Sequence, residues 1–329
     1  MPRNQERKLI LGVDVGGTKI AAALATARGE ILSRGYRPTM GEAEPQDIIA
    51  DILRTIEETM SPSEVCFSQL LGIGIAAAGL ADPDRGVLIS SPHIPNLREA
   101  PLKRAVEQSF GVPAYVGNDA TLAALGEWYF GLKRSVANLV YVTVSTGIGG
   151  GIITNGKLYA GADGIAGEIG HMTIDVNGPR CDCGNTGCWE ALASGTALAR
   201  EAARKIREGA STSIAGLVGG DLSRIDAKVV FQAAQRGDKL ANRLISRLAY
   251  YFGVGLANLV NIFAPELILI GGGVAKMGDS LLQPAISLVK ERAYVTLAYE
   301  VEIRPALLGD DSAVLGAVAF VLDRSRQMQ

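Results

Sequence analysis

The chain has 329 residues, 48% of them hydrophobic and 20% charged, with a formal net charge of −2. This length favours two domains or one large bilobal unit. The Lys and Arg residues are scattered, so the sequence lacks the basic surface typical of nucleic-acid-binding proteins. The charged residues 1–8, and Asp14 in the apolar run that follows, argue against a signal peptide and a membrane-spanning helix. We therefore expect a cytoplasmic protein that acts on a small molecule, with no nucleic-acid or membrane partner.

The first third of the chain alternates short apolar runs with glycine-rich turns and helical patterns. Apolar runs bounded by glycines are typical of buried strands, and proline is favoured at the start of a helix. Strands that alternate with helices favour an α/β fold. The predicted elements are strands at 9–14, 20–25, 70–76 and 114–116, a helix that begins at Pro45, and a helix at 120–130.

The pattern of strand, glycine turn and strand at the start of the chain recurs about 130 residues later, at 138–154. Such a repeat predicts two similar lobes. We place the smaller lobe at 1–117 with 310–329 and the larger lobe at 118–309. The rest of the larger lobe is mostly helical, with one further strand at 267–270. The helices predicted after residue 190 cover 194–208, 226–235, 238–263, 280–294 and 313–322.

The first glycine turn has the sequence Asp14-Val-Gly16-Gly17-Thr18-Lys19 and lies between two strands. The P-loop and the dinucleotide fingerprint precede a helix, so neither is present. The turn can present the backbone N–H groups of its glycines to a phosphate, while Thr18 and Lys19 add a hydroxyl and a charge. Asp14 at a strand end is a natural partner for hydrated Mg²⁺. The alternative is a plain hairpin with a polar turn.

The second glycine turn runs from Ser145 to Gly150 and offers hydroxyl and N–H groups at Thr146 and Gly147. Two phosphate-sized turns suggest a triphosphate ligand. A third glycine run, centred on Gly272 after the 267–270 strand, suits the close approach of an adenosine. Helix capping or tight packing is an equally good explanation of that run.

Three of the four cysteines and one of the two histidines lie between residues 168 and 190. Three thiols and one imidazole form a full tetrahedral zinc set with no position left for water, so the predicted site is structural. Buried cysteines that serve as small apolar residues, or a disulfide with one thiol left over, are the alternatives. The loop would also fix Glu168 and Glu190 beside a polar substrate. The predicted ligands are His171, Cys181, Cys183 and Cys188.

Asn118 and Asp119 follow a predicted strand and open a helix, where Asn is a common N-cap. A carboxylate at a lobe junction can also accept the proton of an attacking hydroxyl group, with Asn118 orienting the neighbouring hydroxyl group. With Glu168, His171 and Glu190, these side chains form a set of acceptors and donors suited to a polyol. Both interpretations stay open from the residues alone.

Together the two glycine turns, Glu168-x-Gly-His171 and Cys181-x-Cys-Gly-x-x-Gly-Cys-x-Glu190 resemble the ROK family, in order and over nearly the whole chain. That resemblance implies a two-lobed actin-like or ribonuclease-H-like ATPase fold with duplicated lobes and a cleft. It also implies ATP, Mg²⁺, a structural zinc ion and phosphorylation of a hexose, most often at carbon 6, with glucose the expected acceptor. Asp119 would be the catalytic base. Sugar contacts are expected from Asn118, Glu168, His171, Glu190 and Gly79, and nucleotide contacts from Asp14, Gly16, Gly17, Thr18, Lys19, Thr146, Gly147 and Gly272.

One segment departs from the family pattern. Many members carry an Asn-Leu-Pro-Gly-Trp-like sequence, whereas this chain has His93-Ile-Pro95-Asn96-Leu97, in which Asn96 is the candidate for a sugar contact. The identity of the sugar is therefore open, with N-acetylmannosamine, mannose, fructose and allose as alternatives to glucose. Polyphosphate or ADP is an alternative phosphoryl donor.

Two other classes of protein are weaker interpretations. A family repressor would need an N-terminal DNA-binding domain, and about eight residues precede the first predicted strand. A zinc-ribbon nucleic-acid module would need basic and aromatic residues around the cysteines. Family habit predicts a homo-dimer or homo-tetramer. A chelator is expected to lower sugar affinity and stability before nucleotide affinity.

Overall fold

The computed structural model describes residues 8–41 and 43–327. Its strands follow the apolar runs of the sequence, and additional short strands appear near residues 80, 90, 158 and 303. The strands are β1 Leu9–Val15, β2 Lys19–Thr26, β3 Ile31–Pro38, β4 Leu70–Ala77, β5 Leu80–Asp82, β6 Val87–Ser90, β7 Ala114–Asn118, β8 Leu139–Val144, β9 Ile148–Thr154, β10 Lys157–Leu158, β11 Leu267–Gly271 and β12 Glu302–Pro305.

The helices include every helix that the sequence predicts, together with shorter ones in the connections. Caps fix several of their starting points: Asn118, Ser194, Asp226 and Asp238 each accept a hydrogen bond from the first turn. The helices are α1 Pro45–Met60, α2 Leu102–Phe110, α3 Asp119–Gly126, α4 Trp189–Ala193, α5 Gly195–Arg207, α6 Ile214–Leu217, α7 Ala227–Gln235, α8 Lys239–Phe263, α9 Asp279–Arg292, α10 Val295–Glu300 and α11 Ser312–Gln327.

The described residues form two five-stranded sheets with corresponding strand orders. The first runs β3-β2-β1-β4-β7 and the second β10-β9-β8-β11-β12. In each sheet, three consecutive strands lie side by side. A fourth strand pairs with the first of these three, and a fifth strand pairs with the fourth. β1 pairs antiparallel with β2 and parallel with β4, and β8 pairs parallel with β11. The predicted α/β class and the predicted duplication are therefore confirmed.

The chain divides into two compact units. Unit 1 comprises Met1–Ala137, Gly151–Gly167 and Leu307–Gln329, and unit 2 comprises Asn138–Gly150 and Glu168–Ala306. The predicted lobe boundaries, 1–117 with 310–329 and 118–309, stay a prediction. Each unit has its own apolar core.

In unit 1, the terminal helix α11 packs against α3 and the first sheet, and glycines allow this close approach. A Cβ atom placed on Gly316 would lie 1.9 Å from the backbone oxygen of Leu122, and one placed on Gly74 would lie 2.1 Å from that of Ala317. After α3, the chain makes one wider helical turn, Glu127–Gly131. The buried Glu127 carboxylate accepts hydrogen bonds from Leu307 N and Leu308 N, each 2.9 Å, and from Ser312 Oγ at 2.7 Å. These bonds fix the start of α11 against the end of α3.

In unit 2, Trp189 anchors the cysteine-rich segment in the core. Its indole ring is fully buried and stacks on Phe252, with ring centroids 5.4 Å apart. A Cβ atom placed on Gly255 would lie 2.0 Å from this ring, so a glycine in α8 makes room for it. Burial of a large aromatic side chain contributes about 2–3 kcal/mol. The neighbouring Cys188 and Glu190 are therefore held on a rigid anchor.

Candidate active site

The polar residues of unit 1 meet where its parallel strands end. In the first sheet Asp14 lies opposite Ala76, and Ala76 lies opposite Gly117. Because the carboxyl ends of parallel strands share one edge of a sheet, Asp14, Gly79 and the Asn118–Asp119 pair are brought to that edge. Asn118 donates from Nδ2 to the backbone oxygen of Gly79 at 3.0 Å and to Asp119 Oδ1 at 3.1 Å.

Asn118 is the N-cap that its sequence position allows, and its expected contact with the sugar stays a prediction. Its Oδ1 accepts the N–H of Thr121 at 2.9 Å, which is the N-cap of α3, while its Nδ2 orients the carboxylate of Asp119. The Gly79 contact requires a glycine, because φ is +132° there and a Cβ atom would lie 2.3 Å from Ser90 O. The side chain of Asn118 therefore connects the start of α3, the backbone of Gly79 and the carboxylate of Asp119 through hydrogen bonds.

The two carboxylates at this edge have perturbed acidity. Burial raises the pKa of Asp119, and the N–H groups of Ala120 and Asp119 and the nearby His93 oppose the shift. Burial, reinforced by the charge of Asp119 and opposed by Lys19, raises the pKa of Asp14 to about 7. Two close carboxylates in a dry environment favour a cation or a bound proton. This pair of buried carboxylates is therefore a fitting partner for a bound cation or proton.

The first glycine turn is a tight hairpin in which the N–H group of Gly16 is already hydrogen-bonded within the turn. Gly16 N–H already donates to Lys19 O at 2.9 Å, and Thr39 Oγ1 donates to Gly16 O at 2.7 Å. The structure thus gives the Gly16 N–H an acceptor within the turn. Phosphate contacts at this turn are expected instead from Gly17, Thr18 and Lys19.

His93 contacts this turn. A Cβ atom placed on Gly17 would lie 2.6 Å from His93 Cβ, so a glycine is needed to let the histidine loop approach. The histidine also affects the acidity of Asp119. Sequence reasoning noted this segment only as a departure from the family pattern. Asn96, proposed from the same segment, donates from its side chain to Ala43 O at 3.2 Å.

In unit 2, Glu190 is bonded to the second glycine turn. Its Oε2 accepts the N–H of Ile148 at 2.8 Å, and a Cβ atom placed on Gly147 would lie 2.2 Å from the same oxygen. A side chain at position 147 would therefore have to displace the Glu190 carboxylate that packs on the glycine. Thr146 remains exposed at the tip of the turn, and its backbone oxygen accepts Thr196 N–H from α5 at 3.2 Å.

A cavity of about 960 Å³ opens beside this turn within unit 2. Such a volume accommodates a nucleotide. Its wall is largely apolar, with side chains that include Phe231 and Leu222, and its charged side chains are cationic except for Asp226, which suits a polyanion. The carboxylate of Asp226 belongs to the wall but accepts Val229 N–H as a helix cap. The cationic lining residues are Arg200, Arg207, Lys228 and Lys276, and the turn contributes Ser145 and Thr146.

The third glycine run reaches this cavity through Gly273 and Val274. Gly272, the residue proposed from sequence, has φ of +90°, and a Cβ atom there would lie 2.3 Å from Val144 O. Its glycine is explained by packing on the end of β8. Several wall residues on α5 were missed from sequence. Thr196, Ala199, Arg200, Ala203 and Arg207 lie at helical spacing, and this periodicity was the signal.

The four predicted zinc ligands form one cluster. The ligand atoms of His171, Cys181, Cys183 and Cys188 all lie within 4.8 Å of one another. Cys183 Sγ is 3.7 Å from Cys188 Sγ, and Cys181 Sγ is 3.8 Å from His171 Nδ1. A tetrahedral zinc site with bonds of about 2.3 Å has sulfur–sulfur edges of about 3.8 Å. The residues present therefore fit a zinc ion.

The two faces of His171 have different neighbours. Nδ1 faces the thiols, while Nε2 lies 3.8 Å from Glu168 Oε2. A ligand histidine whose other nitrogen is oriented by a carboxylate is the usual arrangement around zinc. Burial, reinforced by the other two cysteines, raises the pKa of the Cys188 thiol to about 12, and a bound cation would favour its thiolate form.

A sequence model of the ROK family matches residues 10–324. The chain belongs to the ROK family. A relative, the glucokinase of Halalkalibacterium halodurans, is 38% identical over 320 residues, which are 97% of this chain and 96% of that protein. A putative xylose repressor from a Caldicellulosiruptor species is 36% identical over 320 residues, which are 97% of this chain and 79% of that protein. The ROK proteins similar to this chain therefore include proteins named as kinases and proteins named as repressors.

Among solved ROK structures, a glucokinase from Streptomyces griseus in complex with glucose and AMPPNP is similar to this chain with a TM-score of 0.83. The identity is 35%, and the match covers 97% of this chain and 99% of that chain. The predicted family and fold class are confirmed. No helix within residues 8–41 and 43–327 combines the length and apolar character needed to cross a membrane.

Proposed function

We propose that this ROK protein transfers the γ-phosphoryl group of ATP to the 6-hydroxyl of glucose. Glucokinase relatives and the glucokinase structure bound to glucose and AMPPNP support this assignment. The observation that carries it is Asp119, a carboxylate of raised pKa, oriented by Asn118 at the strand ends beside a glycine turn. This is the position and chemistry that a hydroxyl-activating base requires.

In the proposed reaction, Asp119 accepts the proton of the sugar hydroxyl as the oxygen attacks phosphorus. Burial makes the ionised carboxylate a stronger base, and Asn118 keeps its oxygen oriented. Phosphoryl transfer depends chiefly on positioning and charge stabilisation, so a moderate base suffices. Glu190 and Glu168, held on either side of the cysteine-rich loop, are the proposed sugar-binding carboxylates of unit 2.

The nucleotide is proposed to occupy the cationic cavity of unit 2, with its phosphates toward Thr146. Arg200, Arg207, Lys228 and Lys276 provide charges that attract the polyphosphate. Mg²⁺, when bound, would offset phosphate charge, and Asp14 is the residue proposed to hold its hydration shell. ATP is the proposed donor, and polyphosphate is the alternative that the cationic wall also admits.

A structural zinc ion is proposed at His171, Cys181, Cys183 and Cys188. The four protein ligands complete its coordination, so its contribution is to fix the loop. A cytoplasmic location and a homo-dimer or homo-tetramer stay predictions.

The test is a panel of hexoses with ATP and Mg²⁺, read as ADP release, with glucose, mannose, fructose, allose and N-acetylmannosamine as acceptors. We expect the highest kcat/KM with glucose. Release with another hexose in preference to glucose would replace the proposed acceptor, because the 93–97 segment departs from the family pattern. Absence of release with every hexose would contradict the kinase assignment and favour a sugar-sensing regulator.

A further inference from the structure

Arg200 connects the nucleotide cavity with the cysteine-rich loop. On α5, Thr196 is bonded through its N–H to Thr146 O in the second glycine turn. Arg200 lies one helical turn further along the same cavity face, about 6 Å along the axis. Arg200 and Thr196 both line the cavity, so the long Arg200 side chain is close enough to the turn to reach the phosphates proposed to lie there.

Asp182 holds this guanidinium with two parallel contacts. Arg200 NH1 donates to Asp182 Oδ1 at 3.2 Å and NH2 donates to Oδ2 at 2.8 Å. A two-pronged contact fixes the plane of the arginine as well as its position, and a guanidinium has five N–H donors, so others remain for a ligand.

The position of Asp182 depends on the metal-binding loop, because it lies between the ligands Cys181 and Cys183. The loop is a short turn in which Gly184 N–H donates to Cys181 O at 3.0 Å and Cys181 N–H donates to Asn185 O at 2.8 Å. A metal ion bound by both flanking thiolates would fix the backbone of Asp182 on both sides. Both partners are exposed, with side-chain accessibilities of 60% and 72%, so the pair itself adds little to folding stability.

We propose that the metal-binding loop sets nucleotide affinity through Asp182, a positioning residue that holds Arg200 against the phosphates of ATP. The proposal rests on the proposed nucleotide site. It also changes the expectation that chelation affects sugar affinity before nucleotide affinity. The loop carries Asp182, which contacts Arg200 of the proposed nucleotide site, and it is followed by Glu190, a proposed sugar ligand, so metal removal should affect both affinities.

The experiment measures AMPPNP binding by titration calorimetry with Mg²⁺ on zinc-loaded protein, with glucose binding measured separately. We expect Asp182→Asn to weaken AMPPNP about three- to tenfold, Arg200→Ala to weaken it by a similar factor, and the double variant to show no further loss. Glucose affinity should stay within about twofold. The matched control is Glu208→Gln, which removes one of the two carboxylate partners of Arg204, a residue of the same helix that lies outside the cavity lining.

Metal removal provides the second arm. Wild-type protein stripped of zinc, with its metal content verified, should bind AMPPNP as weakly as zinc-loaded Asp182→Asn, and stripping that variant should weaken AMPPNP no further. The proposal is overturned if Asp182→Asn binds AMPPNP as tightly as wild type, if it weakens glucose as much as AMPPNP, or if stripped wild type keeps full nucleotide affinity. Failure of the wild type to bind AMPPNP would instead contradict the proposed nucleotide site.

Discussion

The two glycine turns of this chain come from the same strand–turn–strand pattern but have different surroundings. The first, in unit 1, lies beside two carboxylates, Asp14 and Asp119, both with raised pKa values. The second, in unit 2, borders a cavity rich in Arg and Lys side chains. The repeated backbone is shared, whereas the charged surroundings differ: the first turn lies beside two carboxylates, and the second carries one carboxylate, Glu190, next to a cavity with four cationic lining residues.

This difference teaches that a duplicated turn does not imply a duplicated role. Even the reason for glycine differs: Gly17 makes room for His93, and Gly147 makes room for the Glu190 carboxylate. The acidic edge of unit 1 suits proton and metal handling, and the basic wall of unit 2 suits a polyanion. Variants at each turn should therefore fail in different ways.

The largest effect is expected from Asp119→Asn. The amide cannot accept the hydroxyl proton, so kcat should fall by about 10²–10⁴-fold. Glucose and AMPPNP affinities should change little, because Asn118 still caps α3 and Gly79 keeps its contact. The measurement is kcat from ADP release, with both affinities measured by calorimetry. Near-normal turnover would show that Asp119 is not the base. The first turn would then have no distinct role in proton transfer.

Next in size is Gly147→Ala in the second turn. The added Cβ would lie 2.2 Å from Glu190 Oε2 and would displace this carboxylate from Ile148 N–H. Misplacement of a positioning group by about 1 Å costs up to about 10²-fold in kcat/KM. Steady-state kinetics would measure the loss. Gly216→Ala is the control, since nothing lies within 4 Å of a Cβ at that site, and equal activities of the two variants would contradict the packing argument.

A stability effect confined to unit 1 is expected from Glu127→Gln. The buried carboxylate accepts three hydrogen bonds that join α3 to the start of α11, and an amide can replace only part of them. We expect a loss of about 1–3 kcal/mol in the free energy of unfolding. Chemical denaturation followed by fluorescence measures it, with exposed Glu64→Gln as the control. Equal stability of the two variants would show that the Glu127 contacts are not needed.

The smallest effect concerns the acidity of Asp14. Its pKa of about 7 in the folded protein lies above the ordinary value of 3.8. A raised carboxyl pKa gives stability that is full below the unfolded value and is lost as pH rises through the folded value, here between about pH 4 and 7. Asp14→Asn should therefore melt at a higher temperature than wild type at pH 8, with the difference vanishing near pH 4. The melting temperatures are measured on nucleotide-free protein. A difference in melting temperature that does not depend on pH would contradict the raised pKa of Asp14.

The repeated strands, the long helices and the cluster of one histidine and three cysteines were predictable from sequence because each leaves a local pattern. The 238–263 helix has apolar residues at helical spacing, and the cysteine spacing fixes a knuckle. The edge strand β12, Glu302–Pro305, leaves a much weaker pattern, since it has only four residues and ends in proline. The wider turn after α3 depends on Glu127 bonding to residues about 180 positions away, which no local window contains.

The candidate site shows the same limit. Asp119 and Asn118 were identified because a strand end and a helix start coincide there. The contact of His93 with Gly17 and the contact of Asp182 with Arg200 join separate segments, so only the folded chain shows them. Gly272 was assigned to the nucleotide because glycine runs suit close approach, but packing on Val144 explains it equally well.

The central claim is that the acidic turn provides the base and the basic cavity provides the nucleotide site. A crystal structure of this chain with glucose and AMPPNP tests it most directly. We predict the 6-hydroxyl oxygen of glucose within about 2.6–3.2 Å of an Asp119 carboxylate oxygen, and the nucleotide in the cavity lined by Thr146 and Arg200. A sugar hydroxyl bound by another residue, with Asp119 out of reach, or a nucleotide outside that cavity, would contradict the account.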